Sequence, residues 1–218
     1  MLHLDLRSDL EEVEDSLKEI IRECSSFLRI YEEKREEVMK LNREIISYSA
    51  RCTEASKRGE REKAMKYLEE AKKRVRRCHK IISEVKQGEK LYSLISEGEK
   101  ELVEAILTYS YVFNEPYGEI LTHLNPFSII LGIMDFSGEL RRIFIEMITN
   151  DDFEEAEKTV NLLKEIYLNI IYEDLRLSVV PGFKRRLDIL RNQIEKCMEN
   201  LNFSRRLANR SISREDEC

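Results

Sequence analysis

Asp135 occupies the middle of the segment PFSIILGIMDFSGELRRIFIEMI, Pro126 to Ile148, which is apolar nearly all round and reads as a buried helix. Glu139 follows one turn later on the same face. A carboxylate in such a helix needs a cation, a hydrogen-bond donor or a proton. Gly132 and Gly138 interrupt the helix, each at about 1 kcal/mol relative to Ala, which points to a close approach to the backbone. On a helical wheel Ser128, Gly132, Asp135, Gly138, Glu139 and Arg142 share one small and polar face. A second acidic pair, Glu101 and Glu104 in KELVEAILTYS, faces away from Leu102, Val103, Ile106 and Leu107. Two carboxylates from each of two facing helices can bind a hard divalent cation. The competing readings are an ion pair with Arg142 for the first pair and a solvated helix face for the second. The two readings differ in sign. Around a metal site, carboxylate repulsion predicts that Asp135→Asn stabilises the metal-free protein. In an ion pair the same change destabilises it.

Other chemistries find little support. His3, His79 and His123 are not spaced with cysteines or acids as zinc ligands. No Gly-rich phosphate loop is present, and no Ser or Cys lies in a nucleophile motif. Basic residues do cluster. Residues 51–80 hold twelve Lys/Arg against five Asp/Glu, residues 89–160 hold five against fifteen, and residues 184–210 hold eight against three. Arg43 and Arg51 lie off the apolar seam of the first helix. Lys72, Lys73, Arg74, Arg76, Arg77 and Lys80 crowd the second. Such clusters suit phosphate contacts, and the alternative is a solvated face. The net charge of −6 argues against indiscriminate coating of nucleic acid.

The elements that must position these residues are helices. With 7 Gly, 3 Pro and 37% charged residues, turns are few and elements long. An apolar stripe runs through Leu10, Val13, Leu17, Ile20 and Cys24 to Val38, Ile45 and Cys52 at 3-4 spacing, which predicts a long helix packed on its neighbours and ending near Gly59. A second stripe, Ala64 to Val85, stops at Gly88, so the two form an antiparallel hairpin. A third helix spans about 89–113 and a short piece runs to about 123. Pro126, with Asn125 as N-cap, opens a helix to about 149. Asp151 and Asp152 start another, to about 173. Pro181-Gly182 breaks the chain before a last helix over about 183–208. The expectation is one all-α domain, residues 1–210, of about six or seven helices with long antiparallel pairs, and a disordered tail at 211–218. Five scattered cysteines, the absence of an N-terminal signal pattern and the lack of a long apolar span point to a cytoplasmic protein.

The chemistry-bearing segments resemble those of the translin/Trax family, of the Trax type. ILGIMDFSGELRR is similar to an L-L-G-x-x-D-x-x-G-E-L pattern, matched at Leu131, Gly132, Asp135, Gly138, Glu139 and Leu140. KELVEA is similar to the E-x-x-E-A element at Glu101, Glu104 and Ala105. REIISYSAR resembles R-D-I-x-x-x-S-K-R at Arg43, Ile45, Ser49 and Arg51, with Ala50 in place of the family's Lys. The resemblance covers about residues 25–208. It implies a translin-like helical bundle and a hollow, barrel-like oligomer, often an octamer, that encloses RNA. It also implies a metal-dependent endoribonuclease, with Glu101, Glu104, Asp135 and Glu139 as catalytic metal ligands for Mg2+ or Mn2+. Arg43, Arg51, Lys72, Lys73, Arg76 and Arg77 would hold single-stranded or locally opened RNA. The protein would act as a homo-oligomer or with a translin-like partner, away from membranes. The alternatives are a non-catalytic single-stranded nucleic-acid binder and a helical scaffold with structural ion pairs.

Overall fold

A computed structural model of the chain describes residues 6–116, 118–173, 179–180 and 182–215. Helices α1 (Leu6–Lys57), α2 (Arg61–Glu84), α3 (Ser96–Phe113), α4 (Pro126–Thr149), α5 (Phe153–Tyr172) and α6 (Phe183–Glu215) form the fold. Short 3-10 turns at Gly88–Leu94 and Glu119–His123 precede α3 and α4. No strand occurs among the described residues, so the all-α expectation holds.

The C-terminal half of α1 follows the predicted stripe. Val38, Ile45 and Cys52, one heptad apart, are fully buried. Gly59, at φ +70°, turns the chain, and α2 returns along α1 with Ala64, Leu68, Ala71, Val75 and Cys78 inward. The N-terminal half differs from the expectation. Val13, Leu17, Ile20 and Leu28 are more than half exposed. A helix of 52 residues is about 78 Å long. Its partner α2, with 24, covers less than half of that, so the first turns of α1 project beyond the bundle.

Helix α3 lies between the α1–α2 hairpin and α4, and α4 packs on α3, α5 and α6. Where a continuous third helix was expected from 89, a tighter turn intervenes. Gln87 adopts φ +60°, and a Cβ on Gly88 would lie 2.0 Å from the Ile82 carbonyl oxygen. Asn125 caps α4 by accepting from the Phe127 backbone N–H, and Asp152 caps α5 by accepting from Glu155. Phe183, Leu187, Leu190 and Cys197 bury one stripe of α6. This helix continues to Glu215, into the segment expected as tail, and residues 216–218 lie outside the described part. Gly132 sets the α3–α4 spacing: a Cβ there would stand 2.5 Å from Val103 Cβ and 2.7 Å from the Lys100 carbonyl oxygen. Gly138 has nothing within 4 Å of an added Cβ, so close approach explains only the first of the two glycines.

Candidate metal centre

Glu101, Glu104 and Asp135 each offer one carboxylate oxygen to a group whose oxygens lie within 4.8 Å of one another. The first two come from the middle of α3 and the third from the middle of α4, held together by the glycine-permitted contact between these helices. All three are half-buried, so the solvated-face reading of the α3 pair is replaced by a shared cleft. Together with Glu139, Gly138, Arg186 and Gln193 they line a cavity of about 460 Å³. Glu139 lies in the same cavity but outside the tight group of three. Its carboxylate pairs with Arg142 and stands 3.1 Å from Lys57 Nζ of α1.

Both oxygens of Asp135 face cations. Lys100 Nζ lies 3.0 Å from Oδ2, and the Arg186 guanidinium donates to Oδ1. Lys100 is buried and also meets Glu97 at 2.7 Å and Glu101 at 3.6 Å. Burial alone would lower its pKa, but hydrogen bonds to Glu97 and Asp135 outweigh that and raise it. Glu104 has no cation bonded to it, and the charge of Lys100 offsets only part of what raises it. Burial first, then the charges of Glu101, Glu139 and Asp135, push it up to about 7. Burial likewise raises Glu101. The Arg142 pair expected from helix spacing exists, but on Glu139. The cations on Asp135 come from α3 and α6, which spacing along α4 cannot reveal.

Two buried acceptors in this cavity lack a hydrogen-bond donor: Gln193 Oε1, and Glu139 Oε2, which Lys57 approaches off the bonding direction. Oxygen-only donors, three of them carboxylates that meet, and unfilled acceptors fit Mg2+ or Mn2+ rather than zinc. Cys52 and Cys78 are not poised as thiol nucleophiles, because burial pushes them up to about 11 and about 12.

The raised pKa of Glu104 carries a prediction. A carboxyl that holds its proton more tightly folded than unfolded makes the protein lose stability as pH rises from the unfolded value of 4.5 to about 7. Glu104→Gln removes that loss. At pH 8 in chelator the variant is expected to be more stable by on the order of 2 kcal/mol, and at pH 4 to match the wild type. Urea unfolding at the two pH values checks this, and an equal difference at both would contradict it.

The basic residues divide. Arg43, Arg51, Lys73, Arg76 and Lys80 are exposed, with Lys80 3.8 Å from Glu84. Arg51 lies beside the Tyr48 and Tyr67 rings at 5.8 and 5.9 Å. Lys72 pairs with Glu69, Arg77 with Glu37, and Arg74 with Glu44 and Glu70. The α2 cluster is thus partly consumed by carboxylates of the same hairpin, contacts not apparent from its composition. Sequence reading also missed Glu99, which is fully buried, meets His79 Nε2 at 2.7 Å and accepts from the Asn125 backbone N–H at 3.2 Å. It ties α2 and α3 to the start of α4.

The Translin family signature matches residues 33–207. An uncharacterized protein of Methanocaldococcus jannaschii is 27% identical over 165 residues, 74% of this chain and 72% of that protein. Among solved structures, AfC3PO in complex with duplex RNA superposes with a TM-score of 0.76 at 25% identity, over 85% of this chain and 96% of that one. Apo-NeC3PO superposes with a TM-score of 0.69 at 24% identity, over 94% and 98%, a likeness of fold. No helix among the described residues is long and apolar enough to cross a membrane.

Proposed function

The chain belongs to the translin family, and from that premise we propose that it is a Trax-type endoribonuclease dependent on Mg2+ or Mn2+. The observation that carries this reading is the meeting of Glu101, Glu104 and Asp135 oxygens within 4.8 Å, in a cavity with two unfilled buried acceptors. A bound divalent ion would supply an acidified water and neutralise charge developing on the phosphate. The residues contribute the rest. Glu101, Glu104 and Asp135 hold the ion. Glu139, fixed by Lys57 and Arg142, orients water from the neighbouring wall of the cavity. The walls come from α3, α4 and α6.

RNA is the proposed substrate, held through its backbone by Arg43, Arg51, Lys73 and Arg76. Lys72 and Arg77 join only by leaving Glu69 and Glu37. Single-stranded or locally opened RNA is the proposed preference. AfC3PO was solved with duplex RNA, so both forms belong in the test. The proposed assembly is a homo-oligomer, most simply a hollow octamer, in which the exposed half of α1 is covered. A translin-like partner is a second arrangement. Light scattering separates either from a 25.9 kDa monomer. A second functional reading, RNA binding without cleavage, is favoured by the Lys100 and Arg186 contacts, which already neutralise Asp135.

Cleavage of single-stranded and duplex RNA in Mn2+, and its loss in EDTA, decides between the two readings. Protein that binds RNA but leaves it intact in Mn2+ is a binder only. Binding is expected to weaken steeply with salt. Arg43→Ala with Arg51→Ala is expected to weaken it about tenfold, whatever the RNA sequence. A double variant with wild-type affinity would remove these two arginines from the interface.

A further inference from the structure

Both oxygens of Asp135 are occupied by the protein's own cations, Oδ1 by Arg186 and Oδ2 by Lys100. A divalent ion bound by Glu101, Glu104 and Asp135 brings a further cation to an oxygen that one of them already holds, and the like charges compete for it. The two are not equivalent. The Lys100 side chain is 11% exposed and remains paired with Glu97 at 2.7 Å if Asp135 is lost. The Arg186 side chain is 36% exposed at the rim of the cavity, and Asp135 is its ion-pair partner. Arg186 also lies in the first turn of α6, where a positive charge opposes the helix dipole. The helix gains nothing from it, and the carboxylate holds it in place.

We propose that Arg186 is an exchangeable counter-ion: it neutralises Asp135 in the metal-free site and, when a divalent ion takes that carboxylate, turns to a phosphate oxygen of bound RNA. The inference rests on the metal-dependent reading above. Its physical basis is the competition of like charges. A dication at Asp135 repels the guanidinium and removes its anion. The planar fork of donors suits a phosphate as well as it suited the carboxylate. Arg142, the other arginine in the cavity, is held on Glu139 and does not compete for this role. RNA engagement by Arg186 then depends on metal loading, so the empty site does not spend this contact on RNA it is unable to cleave.

The test pairs Mn2+ titration followed by electron paramagnetic resonance with anisotropy of a labelled 2′-O-methyl RNA, which resists cleavage. Wild type, Asp135→Asn, Arg186→Gln and Arg186→Lys are compared. Arg186→Gln is expected to bind Mn2+ about tenfold more tightly, because its competitor is gone, with Arg186→Lys near the wild type. In Mn2+ the Gln variant is expected to lose about tenfold in RNA affinity, and in EDTA to bind RNA as the wild type does. Unchanged or weaker Mn2+ binding by Arg186→Gln overturns the exchange while leaving the metal site standing. So does an RNA defect of equal size with and without Mn2+. Wild-type protein that binds no Mn2+, or Asp135→Asn protein that binds it equally, overturns the metal site and the exchange together.

Discussion

Asp135→Asn is expected to abolish Mn2+ binding and to lower RNA cleavage by about a thousandfold, as the several kcal/mol of charge stabilisation from a metal ion are lost. The same substitution is expected to lower stability in chelator by about 1–3 kcal/mol. That sign reverses the one expected from carboxylate repulsion. Asp135 is not an uncompensated acid: Lys100 and Arg186 sit on its two oxygens. Removing its charge takes from the buried Lys100 ammonium one of its carboxylate partners, leaving it Glu97 and Glu101, and frees a guanidinium on the other side. It is Glu104 that is destabilised as an anion: burial first, and the neighbouring carboxylates after it, push its pKa up to about 7. Asp135 thus serves as ion-pair partner and proposed metal ligand at once, two roles that the sequence set against each other. An Asp135→Asn protein that cuts RNA at the wild-type rate ends the assignment of this site.

Gly132→Ala is expected to destabilise the protein by about 2–3 kcal/mol in urea unfolding, even though Ala is the better helix former by about 1 kcal/mol. The new methyl would stand 2.5 Å from Val103 Cβ and 2.7 Å from the Lys100 carbonyl oxygen. One neighbour is a β-branched side chain and the other is backbone, so neither yields without moving α3. That movement separates Glu101 and Glu104 from Asp135, and weaker Mn2+ binding is expected beside the lost stability. Gly138 supplies the control, because an added methyl meets nothing within 4 Å. Gly138→Ala is expected to be neutral or slightly stabilising. If Gly132→Ala were as stable as Gly138→Ala, the helix spacing would be elastic and glycine would not set it.

The order and ends of the helices were legible where the signals are local. The Asn125-Pro126 start of α4 and the Asp152 start of α5 fall where capping chemistry places them. The acidic residues were legible because charge inside the apolar run of α4 is conspicuous. Their cations were not. A helical wheel relates residues three or four apart, which is how Arg142 was matched to this face. Arg186 is 51 positions from Asp135 and reaches it only because α6 packs on α4. Lys57 meets Glu139 only because the fold brings the end of α1 within a lysine side chain's reach of α4. The exposed half of α1 shows the converse limit. Periodicity shows that a stripe needs covering, not whether the cover belongs to the same chain.

That projecting stretch of α1 has a consequence for how the protein can be observed. Residues 13–30 form a rod that Lys86 touches at the Phe27 ring near its base and whose other support within the chain comes from local pairs such as Lys18 with Glu14 and Asp15, each worth about 0.3–0.5 kcal/mol. A solitary rod of this length is only marginally helical in water. Its amides exchange with solvent on the time scale of fraying, whereas those near Ile45 wait for global opening. Covering the rod slows the first class and leaves the second unchanged. Deuterium uptake at residues 13–30, read against uptake around Ile45, is therefore an internal gauge of whether another chain lies on α1. It varies with protein concentration if the cover is a second copy and with added protein if it is not.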